Sequence, residues 1–351
     1  MRRSQRFFLI LMIAVCASVL MGCQARSVTC LPDCSGVNLS DRNLQGVDFS
    51  GANLVNTNLR RSNLSGANFT NASLNNANLE QAQIINANFT NAILAGANFA
   101  ETNLAGAVFE NTDLNATDFT GAILTRVVLS RARINATNFT KAQLIGVDLS
   151  GLVLDGINFD GANLNGANLS SSRMSGASFV DALLIGANLY GTQINGINGT
   201  NAVFTGADLS QADLRGGDFS GAAFTGSTMV VADLSGGSFI GADFSGAILD
   251  RARIVDADLV LSFFYGTSLI GSDLEGSFFT TISEDGSVID SISIYGTTFA
   301  RANLKDVYMA GVVINGGSLA YTNVDDAILT DYFTHNNESV EITAHFQGVL
   351  R

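Results

Sequence analysis

From Leu39 to Leu329 the chain repeats one five-residue pattern without insertion or deletion: small, polar, large apolar, polar, then polar or Gly. Ala67-Asn68-Phe69-Thr70-Asn71 is one copy. Every fifth residue is a centre, and 57 of the 59 centres are Leu, Phe, Ile, Met or Val, the exceptions being Gly199 and Glu284. The positions two before each centre are almost all Ala, Ser, Thr, Gly or Val. A fixed short period marks a solenoid, in which each repeat buries its apolar side chain only against its neighbours.

The centres carry a second period. Phe49, Phe69, Phe89 and Phe109 are 20 apart, as are Phe99, Phe119, Phe139, Phe159 and Phe179, and again Phe204, Phe224, Phe244 and Phe264. The set running from Leu54 through Leu74 and Leu94 to Ile314 holds no Phe. A turn of 20 residues, four beats, stacks each set as a ladder at the ~4.8 Å strand spacing. Hexapeptide and nonapeptide helices need other periods, and leucine-rich repeats longer ones. The 59 repeats then make about 15 coils and a rod of roughly 70 Å.

This pattern resembles the pentapeptide-repeat family, whose usual motif is Ala-Asp/Asn-Leu-X-X, over about four fifths of the chain. The resemblance implies an all-β fold, a right-handed quadrilateral parallel β-helix with the central and small residues pointing inward. The broken centres look compensated within that frame. Ile197 precedes Gly199 and Ile282 precedes Glu284 at the small position, so Ile282 is expected to turn in and Glu284 to face solvent, because an unpaired buried carboxylate is costly. Where two Phe ladders run side by side, at Phe219 with Phe224 and Phe239 with Phe244, the small positions shrink to Gly217 and Gly237, as close packing demands.

Residues 1–22 read as an export signal. Arg2, Arg3 and Arg6 form a basic start, and the charge-free run from Phe7 to Leu20 is too short for a membrane span. Leu20-Met21-Gly22-Cys23 resembles the bacterial lipobox, which implies that Cys23 carries lipid and begins the mature chain. Cleavage after Ala25 and retention as an uncleaved anchor are the alternatives. By the same analogy Gln24 permits sorting to an outer membrane where the cell has one. Residues 23–37 then form a leader and N-terminal cap, 38–330 the helix and 331–351 a C-terminal cap or tail. Cys30 and Cys34, either side of the only proline, are a candidate disulfide, with two free thiols as the alternative. No Cys follows position 34, so the rod holds no cysteine zinc or redox site.

From Cys23 onward the chain has 15 basic and 31 acidic residues. The acid concentrates in residues 201–290, with 13 acidic against three basic residues. A solvated surface explains this stretch. The family's gyrase-protecting members, acidic mimics of duplex DNA, supply a second reading, but they act in the cytosol and this chain carries an export signal. No nucleic acid is expected as partner. Asp233, Arg253 and Asp273 are spaced to stack as opposite charges. Arg131-Ala132-Arg133-Ile134 recurs as Arg251-Ala252-Arg253-Ile254, with Arg173 on the same face, and reads as a salt-bridged or solvated stripe.

Val260, Leu261, Phe263, Tyr265 and Phe278 all fall on outward positions of the beat, a candidate partner patch. The irregular stretch 281–287 folding over the patch is the alternative. Catalysis finds no foothold: both histidines, His335 and His345, lie in the tail, and no cofactor or metal is implied. Tyr332, Phe333, Val340, Ile342 and Phe346 are placed to cover the last coil, and dimerisation through this tail is the alternative that some relatives suggest. The sequence therefore reads as a lipid-anchored, non-catalytic binding or structural rod of the cell envelope with an unidentified protein partner.

Overall fold

The computed structural model describes residues 28–129, 131–282, 288–290, 293–309, 312–315, 319, 321–324, 327–329, 332–335 and 338–340. Parallel bridges join residues 20 apart from Asp33↔Asn53 to Asp258↔Phe278, so four beats make one coil of a right-handed quadrilateral β-helix. No helix occurs among the described residues.

The beat follows from the geometry of each corner. Ala52 N–H donates to Phe49 O at 3.0 Å, closing a turn whose third residue is left-handed, Gly51 at φ 66°. Glycine suits that position because it has no Cβ to clash there, and asparagine is strained less than other residues. The polar residue before each centre also serves the turn. Ser50 N–H donates to Asp48 Oδ1 at 3.0 Å and Thr70 N–H to Asn68 Oδ1 at 3.1 Å, the Asx arrangement that explains why Asn and Asp dominate there. Between turns, Leu54 N–H reaches Ser73 O at 2.7 Å in the next coil and Asn53 N–H reaches Pro32 O at 2.9 Å in the previous one.

Centres and small positions form one continuous core. The Phe ladders stack with ring centroids 4.7 to 5.3 Å apart. Threonines at small positions satisfy their buried hydroxyls by donating to the coil below, as Thr57 does to Cys34 O at 2.8 Å and Thr137 to Leu114 O at 2.8 Å. At the empty centre Gly199, Ile197 is buried, and the ring of Phe219 from the next coil takes the remaining space.

One irregularity is invisible in the unbroken beat. After Phe278 the ladder step changes from 20 to 30 residues: Ser268 bridges Thr298, Asp273 bridges Asn303, and Phe278 bridges Tyr308. The extra ten residues leave the coil as an antiparallel hairpin of β1 (Thr281–Ile282) and β2 (Val288–Asp290). Two whole beats are removed, so the rhythm continues in phase. The columns above are therefore not those that 20-residue spacing assigns. Leu304 and Val324 continue the Phe-free column after Leu274, while Ile294 continues the Phe264 column, with Thr297 Oγ1 donating to Phe264 O. Glu284 lies outside the described residues, and with it the expectation for Ile282 and Glu284.

Beyond the hairpin, β3 (Ser293–Tyr295), β5 (Val313–Asn315) and β7 (Tyr332–His335) pair in parallel, and β8 (Glu338–Val340) folds back antiparallel on β7. A second pair joins β4 (Tyr308–Met309) to β6 (Ile328–Leu329). Val313 pairs with Tyr332, so the last coil is one residue short and the ladder runs into the tail.

Candidate partner surface

Two outward columns meet at the corner formed by Val260, Leu261 and Ser262. One carries Asp243 and Phe263, the other Asp258 and Phe278, with Tyr308 above Phe278. The hairpin leaves the coil from the same corner one turn later, after Thr280. Phe263, Tyr265 and Phe278 are 59%, 69% and 51% exposed, although the fold offers every other Phe in the described ladders a buried place. Leu261 is exposed as well and sits in the left-handed region at φ 59°, a conformation that disfavours a large apolar side chain.

Val260 departs from the sequence reading. It is buried at 5% exposure, because this corner is closed where the chain turns out of the coil; Thr280 on the same corner is buried too, its hydroxyl without a partner among the described residues. Ile240, one coil below Val260, is 40% exposed and extends the patch. The signal for it was present, an apolar residue at a corner position that is usually polar, and it lies 20 residues before Val260. Residues 283–287, the remainder of the alternative cover, lie outside the described residues.

The patch has an acidic border. Asp243 and Asp258 sit directly beneath Phe263 and Phe278. Burial pushes the Asp243 carboxyl up, but hydrogen bonds from Ser245 and Thr225 outweigh it, leaving the group below the ordinary carboxylate value. Asp258 Oδ1 accepts from Val260 N–H at 3.1 Å. Asp250, Asp256 and Asp273 carry further negative charge in the coils around them, alongside Arg251 and Arg253.

Elsewhere the charges pair in part. Arg173 binds Asp155 at 2.7 Å, Arg61 binds Asp41 at 2.8 Å and Lys305 binds Glu275 at 2.9 Å. Asp233, Arg253 and Asp273 do stack in register. Among the described residues, however, Arg131, Arg133, Arg251 and Arg253 make no ion pair, so most of the arginine stripe is solvated rather than bridged. Cys30 and Cys34 are joined by a disulfide, with Cα atoms 4.9 Å apart, at the foot of the first coil. Cys23 and His345 lie outside the described residues, and His335 is described only as part of β7. No group of three or more His, Cys, Asp or Glu is placed to hold a metal among the described residues, and no helix there is long and apolar enough to cross a membrane.

Comparison with known proteins finds the same repeat. The family model "Pentapeptide repeat region" matches residues 62–139. The model "Pentapeptide repeats (8 copies)" matches residues 33–71, 142–181, 162–198, 182–221, 200–230 and 231–264. No curated protein matches the sequence. Similar solved structures include HetL, a pentapeptide repeat protein involved in heterocyst differentiation regulation from Nostoc sp. strain PCC 7120. It is 20% identical over 85% of this chain and 89% of its own, with a TM-score of 0.23. A pentapeptide repeat protein (Rfr23) from the cyanobacterium Cyanothece 51142 is 34% identical over 30% of this chain and 82% of its own, with a TM-score of 0.24. QnrB1, a plasmid-mediated fluoroquinolone resistance protein, is 20% identical over 58% of this chain and 87% of its own, with a TM-score of 0.21.

Proposed function

The chain belongs to the pentapeptide-repeat family, and from that premise we propose that it is a non-catalytic binding rod, exported and lipid-anchored through Cys23, that holds a protein partner at the surface bearing Phe263, Tyr265 and Phe278. The observation that carries this reading is the exposure of those three rings within two adjoining coils of a fold that buries its other ladder phenylalanines. Exposed clusters of this kind cost solubility and mark interaction sites. The acidic border selects the partner. A segment presenting aromatic or aliphatic anchors flanked by Lys or Arg would fill the apolar corner and meet Asp243 and Asp258 at its edge. Export is supported by the basic, apolar, lipobox-like start of the chain and by the Cys30–Cys34 bridge, which suits an oxidising compartment.

The experiment is a double substitution, Phe263→Ser with Phe278→Ser, in the full-length protein. Both side chains are half exposed or more, so the variant is expected to fold with an unchanged melting temperature and to lose its partner in pull-downs from envelope fractions. Retained association in a folded variant contradicts the assignment. The acidic run 201–290 favours a second reading, a mimic of duplex DNA that binds a DNA-handling protein. Fusion of the signal to a reporter enzyme that is active only outside the cytoplasm separates the two, since the second reading requires that the reporter stay silent.

A further inference from the structure

The ladder is split between the coils around residues 126–137 and 145–158, and the sequence gives the cause. By register, the N–H groups of Asp148 and Val153 face the carbonyls of Val127 and Ala132, yet these bonds are missing among the described residues, and the bridge resumes at Asn138 and Asn158. So are those from Leu129 to Asp148, Arg131 to Ser150 and Ile134 to Val153. One coil later the equivalent bonds from Asn168 and Arg173 to Val147 and Leu152 both form at 3.0 Å. Val147, Leu152 and Ile157 are three successive inward positions that elsewhere mostly hold Ala, Ser, Thr or Gly. Their extra volume overpacks one side of the coil and parts it from the coil below, leaving Leu152 only partly buried. On the other side the coils stay joined, through Leu124 N–H to Gln143 O at 2.9 Å and Phe139 N–H to Asn158 O at 2.8 Å.

A cavity of about 230 Å³ lies on this split, lined by Leu129, Arg131, Asp148, Ser150 and Leu152. Four of these residues are the partners of two missing ladder bonds. The lower lip offers the N–H groups of Leu129 and Arg131 and a guanidinium that makes no ion pair among the described residues. The upper lip offers the carbonyls of Asp148 and Ser150, the Asp148 N–H and the Asp148 carboxylate, one of whose oxygens is held by Ser150 N–H at 3.0 Å and Asn168 Nδ2 at 3.1 Å. Leu129 and Leu152 supply an apolar wall between them.

From this arrangement we infer that the split is a binding site for a small apolar α-amino acid in its zwitterionic form. The carboxylate meets Arg131 and the two lower N–H groups. The ammonium meets Asp148 and the two upper carbonyls, and the side chain lies on Leu129 and Leu152. Such a ligand pairs backbone groups that the ladder leaves unbonded, and it does so with charge-assisted bonds at both ends. The cleft has the volume of roughly eight waters at ~30 Å³ each, room enough for a molecule of this size.

The test is calorimetric titration of the full-length protein with L-leucine, and with hexanoate and pentylamine, which each lack one charged end. Leucine is expected to bind saturably, both analogues at least about tenfold more weakly, with leucine slowing hydrogen exchange at the Leu129 and Arg131 amides. Arg131→Gln and Asp148→Asn, the latter keeping an oxygen for Ser150, are each expected to weaken leucine about tenfold, and Leu152→Ala to close the split and abolish binding. Absence of leucine binding at millimolar concentration, equal binding of hexanoate, or unchanged affinity in both charge variants overturns the inference.

Discussion

The ring of Phe219 occupies the space that a side chain at Gly199 would need. A Cβ at position 199 would stand 2.8 Å from Phe219 Cδ1, and one at Gly217 would stand 2.6 Å from Phe219 Cε2. Phe219 thus lies between two glycines, stacked on Phe239 at 5.1 Å and set at 64° to Phe204. An apolar centre lost in one coil is replaced by a ring leaning in from the next.

Gly217→Ala and Gly199→Ala are therefore expected to destabilise the rod, each by about 1–3 kcal/mol, because the ring they meet is fixed by its neighbours and cannot swing away. At about 1–2 °C per kcal/mol for a chain of this size, a melting curve resolves either change. Neither glycine has a left-handed φ, so an unchanged melting temperature would point to a ring position other than the one described.

Val231 sits at φ 61°, where a β-branched residue is a true outlier, and its side chain is 49% exposed. Its half-exposed side chain recovers only part of the gain of full burial. Val231→Asn is expected to raise stability by about 1 kcal/mol, since left-handed backbone costs ordinary residues about 1–2 kcal/mol and asparagine less. Urea unfolding of the two proteins side by side checks the sign.

The split above Ala132 predicts a pattern of hydrogen exchange. Amides of Asp148 and Val153 are expected to exchange much faster than those of Asn168 and Arg173, which have the same place one coil on. Substituting Val147, Leu152 and Ile157 together by Ala is expected to restore protection and the missing bonds. Equal exchange in the two coils would remove the overpacking argument.

Arg215 holds Asp213 with two bonds, at 2.8 and 2.7 Å, and this hydrogen bonding keeps the Asp213 carboxyl below its ordinary value of 3.8. A carboxylate with a lowered folded-state value adds stability that is present above pH 3.8 and is lost as pH falls through the lowered value. Arg215→Gln should accordingly lower the urea midpoint at pH 6. The gap to the parent protein should close in strong acid, where Asp213 is protonated in both. The effect is small, because the arginine is solvent-exposed.

How much of this was legible in the residues depends on whether a feature disturbs the beat. The Phe ladders follow directly from spacing, and Phe49 stacks on Phe69 at 5.0 Å. The hairpin of β1 and β2 leaves no trace, because ten residues are two whole beats and the rhythm resumes in phase. For that reason Ile294 and Ile314 read as members of the Leu54 column when their ladder continues from Phe264. The outward aromatics Phe263 and Phe278 were readable one by one, whereas the burial of Val260 depends on where the chain leaves the coil. The cavity beside Arg131 was written in the run Val147, Leu152, Ile157, but only if the size of successive small positions is compared within one coil.

The central claim is that the corner of Phe263 and Phe278 holds a protein partner. Photocrosslinking in living cells from position 263, with mass spectrometry of the captured species, tests it most directly when run beside a crosslinker at position 93, an exposed site on another face. A discrete adduct formed from 263, absent from 93, and lost when Phe278 is changed to Ser is the predicted result. The same adducts from both positions, or an adduct at 263 indifferent to Phe278, would contradict it.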